Sequence, residues 1–217
     1  MKYEYLKRKM FLDNLSWFER DKAGGRFQMP YINKVLFCPN HLIRFPEAMK
    51  LSHYSAGIHF FIDDYRIEPL WRSIDKYIPK LKKYSAVLSP DFSLLTDMSV
   101  AQQIWNTYRS RLVASVLQRM GLTVIPTISW ADARSFKFCF DGIENGGFVA
   151  VSTVGTQKSE IDRKLFSEGI KQMITVLSPR AIIIYGNLPE CDFEGRKILH
   201  FPACKKNSEM LSYMEEK

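Results

Sequence analysis

The stretch SAVLSPDFSLLTDMSVAQQIWNTYRSRLVASVLQRMGLTVIPTI, residues 85–128, decides how the chain folds. It opens with Ser85-Ala-Val-Leu-Ser89, an apolar run with the length of a buried strand, and closes with a second such run, Thr123-Val-Ile-Pro-Thr-Ile128. Between them Ser99 stands where a helix N-cap belongs. From there Val100, Ala101, Ile104, Trp105, Tyr108, Leu112, Val113, Val116, Leu117 and Met120 recur at helical spacing. Gly121 follows at once, placed to let the helix exit in a left-handed conformation. Strand, helix and strand at this separation make a βαβ unit with parallel strands and a right-handed crossover.

The same unit recurs to either side. Phe148-Val-Ala-Val-Ser152 reads as a strand, and Ser159 as the cap of a helix whose apolar face carries Ile161, Leu165, Phe166, Ile170, Met173, Ile174 and Leu177. Ser178-Pro179 ends that helix, and Ala181-Ile-Ile-Ile-Tyr185 is the next, β-branched strand. Upstream, Lys34-Val-Leu-Phe-Cys38 and Ile58-His-Phe-Phe-Ile62 read as strands, and Lys197-Ile-Leu-His200 as a last edge strand. The alternation predicts one α/β domain over 1–217. Its largely parallel sheet of six or seven strands has covering helices and is either open and doubly wound or barrel-like and incomplete. Residues 1–30 read as a helical lead-in ending at Gly24-Gly25, 31–200 as the α/β core, and 201–217 as a C-terminal tail or short helix.

Composition narrows the function classes. With 217 residues, 46% hydrophobic and 25% charged, the chain can bury a substantial core and is not of a disordered type. No apolar run reaches the roughly 18 residues of a membrane span, and the N-terminus lacks the pattern of a secretory leader, so the expected setting is cytoplasmic, without a membrane partner. Cys38, Cys139, Cys191 and Cys204 form no Cys-x-x-Cys pair and read as reduced thiols; Cys191, His200 and Cys204 are the nearest approach to a ligand cluster. His59 falls inside a strand, as a core histidine does. Thirty-one Lys and Arg against 23 Asp and Glu give a net charge of +8, which favours polyanionic partners. Arg109 and Arg111 belong to a mild basic cluster that reads as a solvated helix face.

In parallel α/β folds ligands bind at the carboxyl ends of the strands. Just past them lie Pro39-Asn-His41, Asp63-Asp-Tyr-Arg66, Pro90-Asp-Phe-Ser93, Ser129-Trp130, Thr153-Val-Gly-Thr156 and Gly186-Asn187. Asp63 and Asp91 are the candidate catalytic pair: two convergent carboxylates can hold a divalent metal, act as general acid and base, or orient a hydroxyl. The bland alternative is local, with Asp63 or Asp64 capping a helix and Asp91 closing a turn beside Pro90. Thr153, Gly155, Thr156 and Lys158 lie between a strand and a helix N-terminus, where backbone N–H groups can hold a phosphate, although the full phosphate-loop and dinucleotide spacings are missing. Trp130 offers a stacking face, and Tyr65 with Arg66 pairs an aromatic ring with a guanidinium.

These strand-end motifs, with Phe61-Ile-Asp-Asp-Tyr-Arg-Ile-Glu68, Leu88-Ser-Pro-Asp-Phe-Ser93, Gln103-Ile-Trp-Asn-Thr-Tyr-Arg-Ser110, Ile125-Pro-Thr-Ile-Ser-Trp130, Phe136-Lys-Phe-Cys-Phe-Asp-Gly-Ile143 and Ala150-Val-Ser-Thr-Val-Gly-Thr156, resemble an uncharacterised domain family over roughly residues 30 to 190. That family is seen mainly in bacteriophages, plasmids and integrated elements. The resemblance implies a mobile-element setting and transfers no catalytic residue. The leading expectation is a nucleic-acid-associated or nucleotide- or phosphate-processing enzyme, such as a metal-dependent phosphoryl-transfer enzyme or hydrolase, with a divalent metal as a candidate cofactor. Its partners would be nucleic acid or a phosphate-bearing small molecule. The alternatives are a non-catalytic binder that sequesters a nucleotide or docks on a host defence protein, and a carbohydrate-acting hydrolase built on two carboxylates.

Overall fold

Residues 14–203 are described in a computed structural model of the chain. In place of the helical lead-in, residues 14–30 form two 3-10 turns, Leu15–Trp17 and Arg20–Lys22, and an antiparallel ribbon of β1 (Ala23–Gly24) and β2 (Met29–Pro30). Residues 1–13 and 204–217, with most of the expected tail, lie outside the described residues.

The remaining strands divide into two parallel sheets and not one of six or seven. The first has the order β3 (Leu42–Arg44), β4 (Gly57–His59), β5 (Ala86–Leu88), β6 (Val124–Ile125). The second has the order β7 (Phe148–Ser152), β8 (Ala181–Tyr185), β9 (Lys197–Phe201). Pro126 explains the division. It cannot donate to a ladder, so the strand expected over 123–128 stops at Ile125. Among the described residues one bridge then joins the sheets: Ala150 in β7 donates to Pro126 O (2.9 Å) and accepts from Ile128 N (2.8 Å). Strand order follows chain order throughout, without the reversal that a doubly wound sheet requires.

The expected strand at 34–38 makes no ladder. Its Val35 carbonyl accepts from Phe148 N at 2.8 Å, Val35 and Cys38 pack on the core between the sheets, and the first parallel strand forms later, at Leu42. The strands at 148–152 and 181–185 stand as read, and the edge strand runs one residue further, to Phe201.

Helices cover the outer faces. A single turn, α1 (Phe45–Ala48), follows β3; α2 (Asp64–Arg72) and α3 (Ile74–Leu81) follow β4; α4 (Val100–Arg119) follows β5; and α5 (Glu160–Leu177) follows β7. Both long helices open with a capping box, Ser99 with Gln102 and Ser159 with Asp162, and Gly121 takes φ +85° just past α4. One core packs α2, α3 and α4 on Ile58, Val87 and Val124. A second packs α5 on Val149, Val151, Ile182 and Ile184. In the third, Leu42, Leu88 and Ile125 of the first sheet meet Ala150, Ile183 and Tyr185 of the second, so the inner faces of both sheets share one apolar interior.

α4 departs from the expected stripe. Val100, Ala101 and Trp105 are exposed at its start, whereas Gln103, Asn106, Arg109, Ser110 and Arg111 are buried. Arg109 and Arg111 are therefore not on a solvated face. They are tolerated inside because each guanidinium is hydrogen-bonded. Ile161, read as part of the α5 core face, is 71% exposed in the first helical turn, ahead of the packed residues.

Candidate functional site

A cleft of about 950 Å³ opens at the carboxyl ends of the strands and draws on both sheets. Asp63 reaches it from the end of β4, Asp91 from β5, Ser129 and Trp130 from β6, and Gly155 and Thr156 from β7, with Arg66 on the rim. The fold thus gathers Asp63, Arg66, Asp91, Trp130, Gly155 and Thr156 around one hollow. Tyr65, Thr153 and Lys158 are not among its lining residues. Tyr65 is 68% exposed and its hydroxyl accepts from Arg66 Nε at 3.1 Å. Thr153 is buried and its hydroxyl donates to Asn187 O at 2.8 Å, tying the ends of β7 and β8 together. Lys158 is exposed.

The acidic residues do not behave as local turns. Asp63 occupies the N-cap position of α2, yet its carboxylate makes no cap hydrogen bond and stays exposed at the cleft. Asp64 instead accepts from the Ser93 hydroxyl (2.8 Å) and amide (3.1 Å), joining α2 to the loop after β5. Asp91 accepts a hydrogen bond from the Ser129 hydroxyl, which lies past the neighbouring strand. Burial pushes the Asp91 carboxyl up to about 7, and the charge of Asp64 pushes in the same direction; the Ser129 hydroxyl and the Arg111 guanidinium oppose them. The carboxylate that acts electrically on Asp91 is therefore Asp64.

Behind Asp91, Arg111 spans the junction of the two sheets. Its guanidinium donates to Cys139 O (2.6 Å), Asp141 O (3.1 Å) and Thr127 O (3.2 Å), and burial lowers it to about 10. Trp130 forms part of the cleft wall, held by its indole N–H on Leu165 O (3.1 Å) and by Phe166, with ring centroids 5.5 Å apart. Phe61 and Tyr185 stack at 5.0 Å and also line the cleft. His59 is the core histidine that its position suggests. It packs 4.2 Å from the Tyr185 ring, accepts from Phe61 N at 3.2 Å, and is held neutral because burial lowers it to about 3.

The loop before α5 is already served by the protein. Asp162 Oδ2 accepts from Ser159 N at 3.0 Å and Ser159 Oγ from Asp162 N at 3.1 Å, so a carboxylate already sits where the helix dipole would favour a phosphate. The net charge of +8 is not concentrated in the cleft either. Asp63, Asp91, Asp97 and Asp162 line it against Arg44 and Arg66, and Arg44 is paired with Glu47 at 3.2 Å. Among the described residues no group of three or more His, Cys, Asp or Glu side chains gathers as metal ligands do. Cys38, Cys139 and Cys191 carry free thiols raised by burial, and Cys204 lies outside the described residues.

Sequence reasoning passed over Asn106, read Arg109 and Arg111 as a solvated helix face, and set Asp64 aside as a cap. The available signal was the polar run Asn106-Thr-Tyr-Arg-Ser-Arg111 inside a helix flanked by apolar strands. Such a run has either an exposed face or internal partners, and here the partners are internal.

Residues 21–202 match the family described as "Domain of unknown function (DUF4417)", and the chain belongs to that family. It is 38% identical over 174 residues to the "Gene 1 protein" of Mycobacterium phage L5, which covers 79% of this chain and 76% of that protein. It is also 38% identical over 173 residues to the "Gene 1 protein" of Mycobacterium phage D29, covering 78% of this chain and 64% of that one. The family is thus phage-associated, as the motifs imply. No solved structure matches the chain. No helix among the described residues is long and apolar enough to cross a membrane.

Proposed function

We propose that this member of a phage-associated family is a nucleotide-processing hydrolase that works in the strand-end cleft by acid–base catalysis. The observation that carries the reading is the position of Asp91 on the lining of that cleft, hydrogen-bonded by Ser129. A carboxyl tuned close to neutral pH is suited to giving a proton to a leaving group and taking one back from water. In the proposed step Asp91 protonates the departing atom as its bond to the substrate breaks, and the bonding electron pair leaves with that atom. Water attacks from the other side, and its proton passes to the Asp63 carboxylate.

Ring-bearing ligands suit the walls. Trp130 and the Phe61–Tyr185 stack supply apolar faces, while Ser129, Ser152 and Thr156 supply hydroxyls for a sugar. Phosphate oxygens, where the ligand carries them, would meet Arg66 at the rim and not the start of α5, where Asp162 already lies. A ligand with few negative charges is favoured over a polyanion, because acidic side chains outnumber basic ones in the lining.

The test is turnover and binding measured on the same panel of nucleosides, nucleoside monophosphates and nucleoside triphosphates. Wild type should bind at least one class and convert it, and Asp91→Asn should bind it and leave it intact. A ligand bound tightly and left unchanged by wild type would make the protein a sequestering binder.

A further inference from the structure

The loop that carries Asp91 is held from below by side chains with no business in an apolar helix interface. Asn106 Nδ2 donates to Ser93 O at 2.7 Å. Arg109 donates to Asn106 Oδ1 at 2.7 Å, is ion-paired with Glu68 of α2, and lies over the Phe92 ring with its guanidinium carbon 3.8 Å from the ring centroid. Gln103 Nε2 takes the far end of the same loop, donating to Leu95 O (3.0 Å) and Met98 O (3.2 Å). All three residues are buried. Apolar residues of similar size would fill the same space with no polar groups to satisfy. The polar set is not even complete, since Arg109 Nε and Gln103 Oε1 find no partner among the described residues. A costly, partly unsatisfied network is poorly explained by stability alone and well explained by fixing geometry. What it fixes are Phe92 and Ser93, the two residues that follow Asp91.

We propose that Asn106 and Arg109 are positioning residues: through Ser93 and Phe92 they hold the Asp91 carboxyl against Ser129 inside the cleft. The inference rests on the reading of Asp91 as the acid–base group. Neither residue touches the ligand in it. The charged groups that act on Asp91 are Asp64 from α2, which also holds Ser93 by its amide and hydroxyl, and Arg111 from α4; the brace variants alter neither. Releasing the brace lets the loop lift and admits water to the carboxyl; this relieves the burial that holds the proton on, which outweighs the loss of the Ser129 hydrogen bond because burial is the larger effect.

The test is carbon-detected NMR titration of the Asp91 side-chain carboxyl in the full chain, for wild type, Asn106→Ala and Arg109→Lys. Arg109→Lys keeps a charge opposite Glu68 but loses the guanidinium that lies over Phe92 and bonds Asn106, and it serves if Asn106→Ala fails to fold. Ser115→Ala, which removes a hydroxyl bonded only within α4, is the control for general loosening. The expected result is a titration midpoint lowered by about one unit in the brace variants and unmoved in the control. A raised wild-type midpoint that no brace variant shifts would overturn the positioning role while leaving the proposed acid–base function standing. A wild-type midpoint at the ordinary aspartate value would overturn both. A midpoint that moves as expected in a protein with no turnover would support the brace and count against the hydrolase.

Discussion

Asp91 differs from an ordinary aspartate through what surrounds its carboxyl, and that difference sets a pH dependence. Unfolded, it titrates near 3.9; folded, burial raises it to about 7. A group raised in the folded state adds stability below its unfolded value, and that contribution is lost as pH rises through the folded one. His59 has the opposite slope. Held near 3 against roughly 6.5 when unfolded, it adds stability above the unfolded value that is lost as pH falls. In wild type the two slopes oppose each other between about 4 and 6.5. Asp91→Asn removes one, so its melting temperature relative to wild type should climb steadily from pH 4 to 7; a constant difference would mean that Asp91 titrates as a free aspartate. Ser129→Ala withdraws the hydroxyl that favours the charged form, so the Asp91 midpoint should rise further. Gly169 makes a different demand. A methyl group there would overlap the Trp130 indole, so Gly169→Ala should cost about 1–3 kcal/mol and alter tryptophan fluorescence, because the indole must leave the cleft wall. Asp63, Asp91 and Trp130 could be named from sequence because each lies within three residues of the end of an apolar run. Asp64 could not be separated from a helix cap, since its partner Ser93 is 29 positions away and only the fold brings them together.

At the scale of elements, α4 holds the structure together by its middle. Arg111→Met would leave the carbonyls of Thr127, Cys139 and Asp141 without a donor, and the expected loss is about 3 kcal/mol or more in denaturant unfolding. Ser99→Ala, which removes only the cap, should cost about 1 kcal/mol. Equal losses would mean that the junction of the sheets does not depend on Arg111. The boundaries of α4 were legible because capping chemistry is local: Ser99, Gln102 and Gly121 announce its ends. Its buried face was not legible. Periodicity assigns apolar residues inward, but α4 is covered on several sides and takes in arginines because carbonyls 16 to 30 positions away receive them. The strand at 181–185 was legible for a complementary reason, since Ile182, Ile183 and Ile184 are buried on both faces and need no alternation. The segment at 34–38 is also largely apolar yet forms no ladder, touching a sheet through the Val35 carbonyl, which apolarity alone does not reveal.

For the whole molecule, parallel strands with covering helices could be read from the chain, but their division into four and three could not. That depends on a single missing N–H at Pro126 and on one bridge through Ala150. Net charge says little about the cleft. A surplus of +8 favours polyanionic partners, yet the cleft is lined by more carboxylates than guanidinium groups, so the surplus lies outside the cleft. Association with duplex DNA, where it occurs, should therefore weaken steeply with added salt and be indifferent to Asp91→Asn. Binding of a nucleoside in the cleft should barely respond to salt. If both respond alike, ligand and DNA share a basic surface and the cleft is not the site.

The most direct test is a map of amide chemical-shift changes as an uncharged nucleoside is titrated into the uniformly labelled protein. Changes should centre on Asp91, Ser129, Trp130 and Thr156 and be weak on the far side of α4. Changes confined to surfaces away from the cleft, or none at any concentration, would contradict a ligand site at the strand ends.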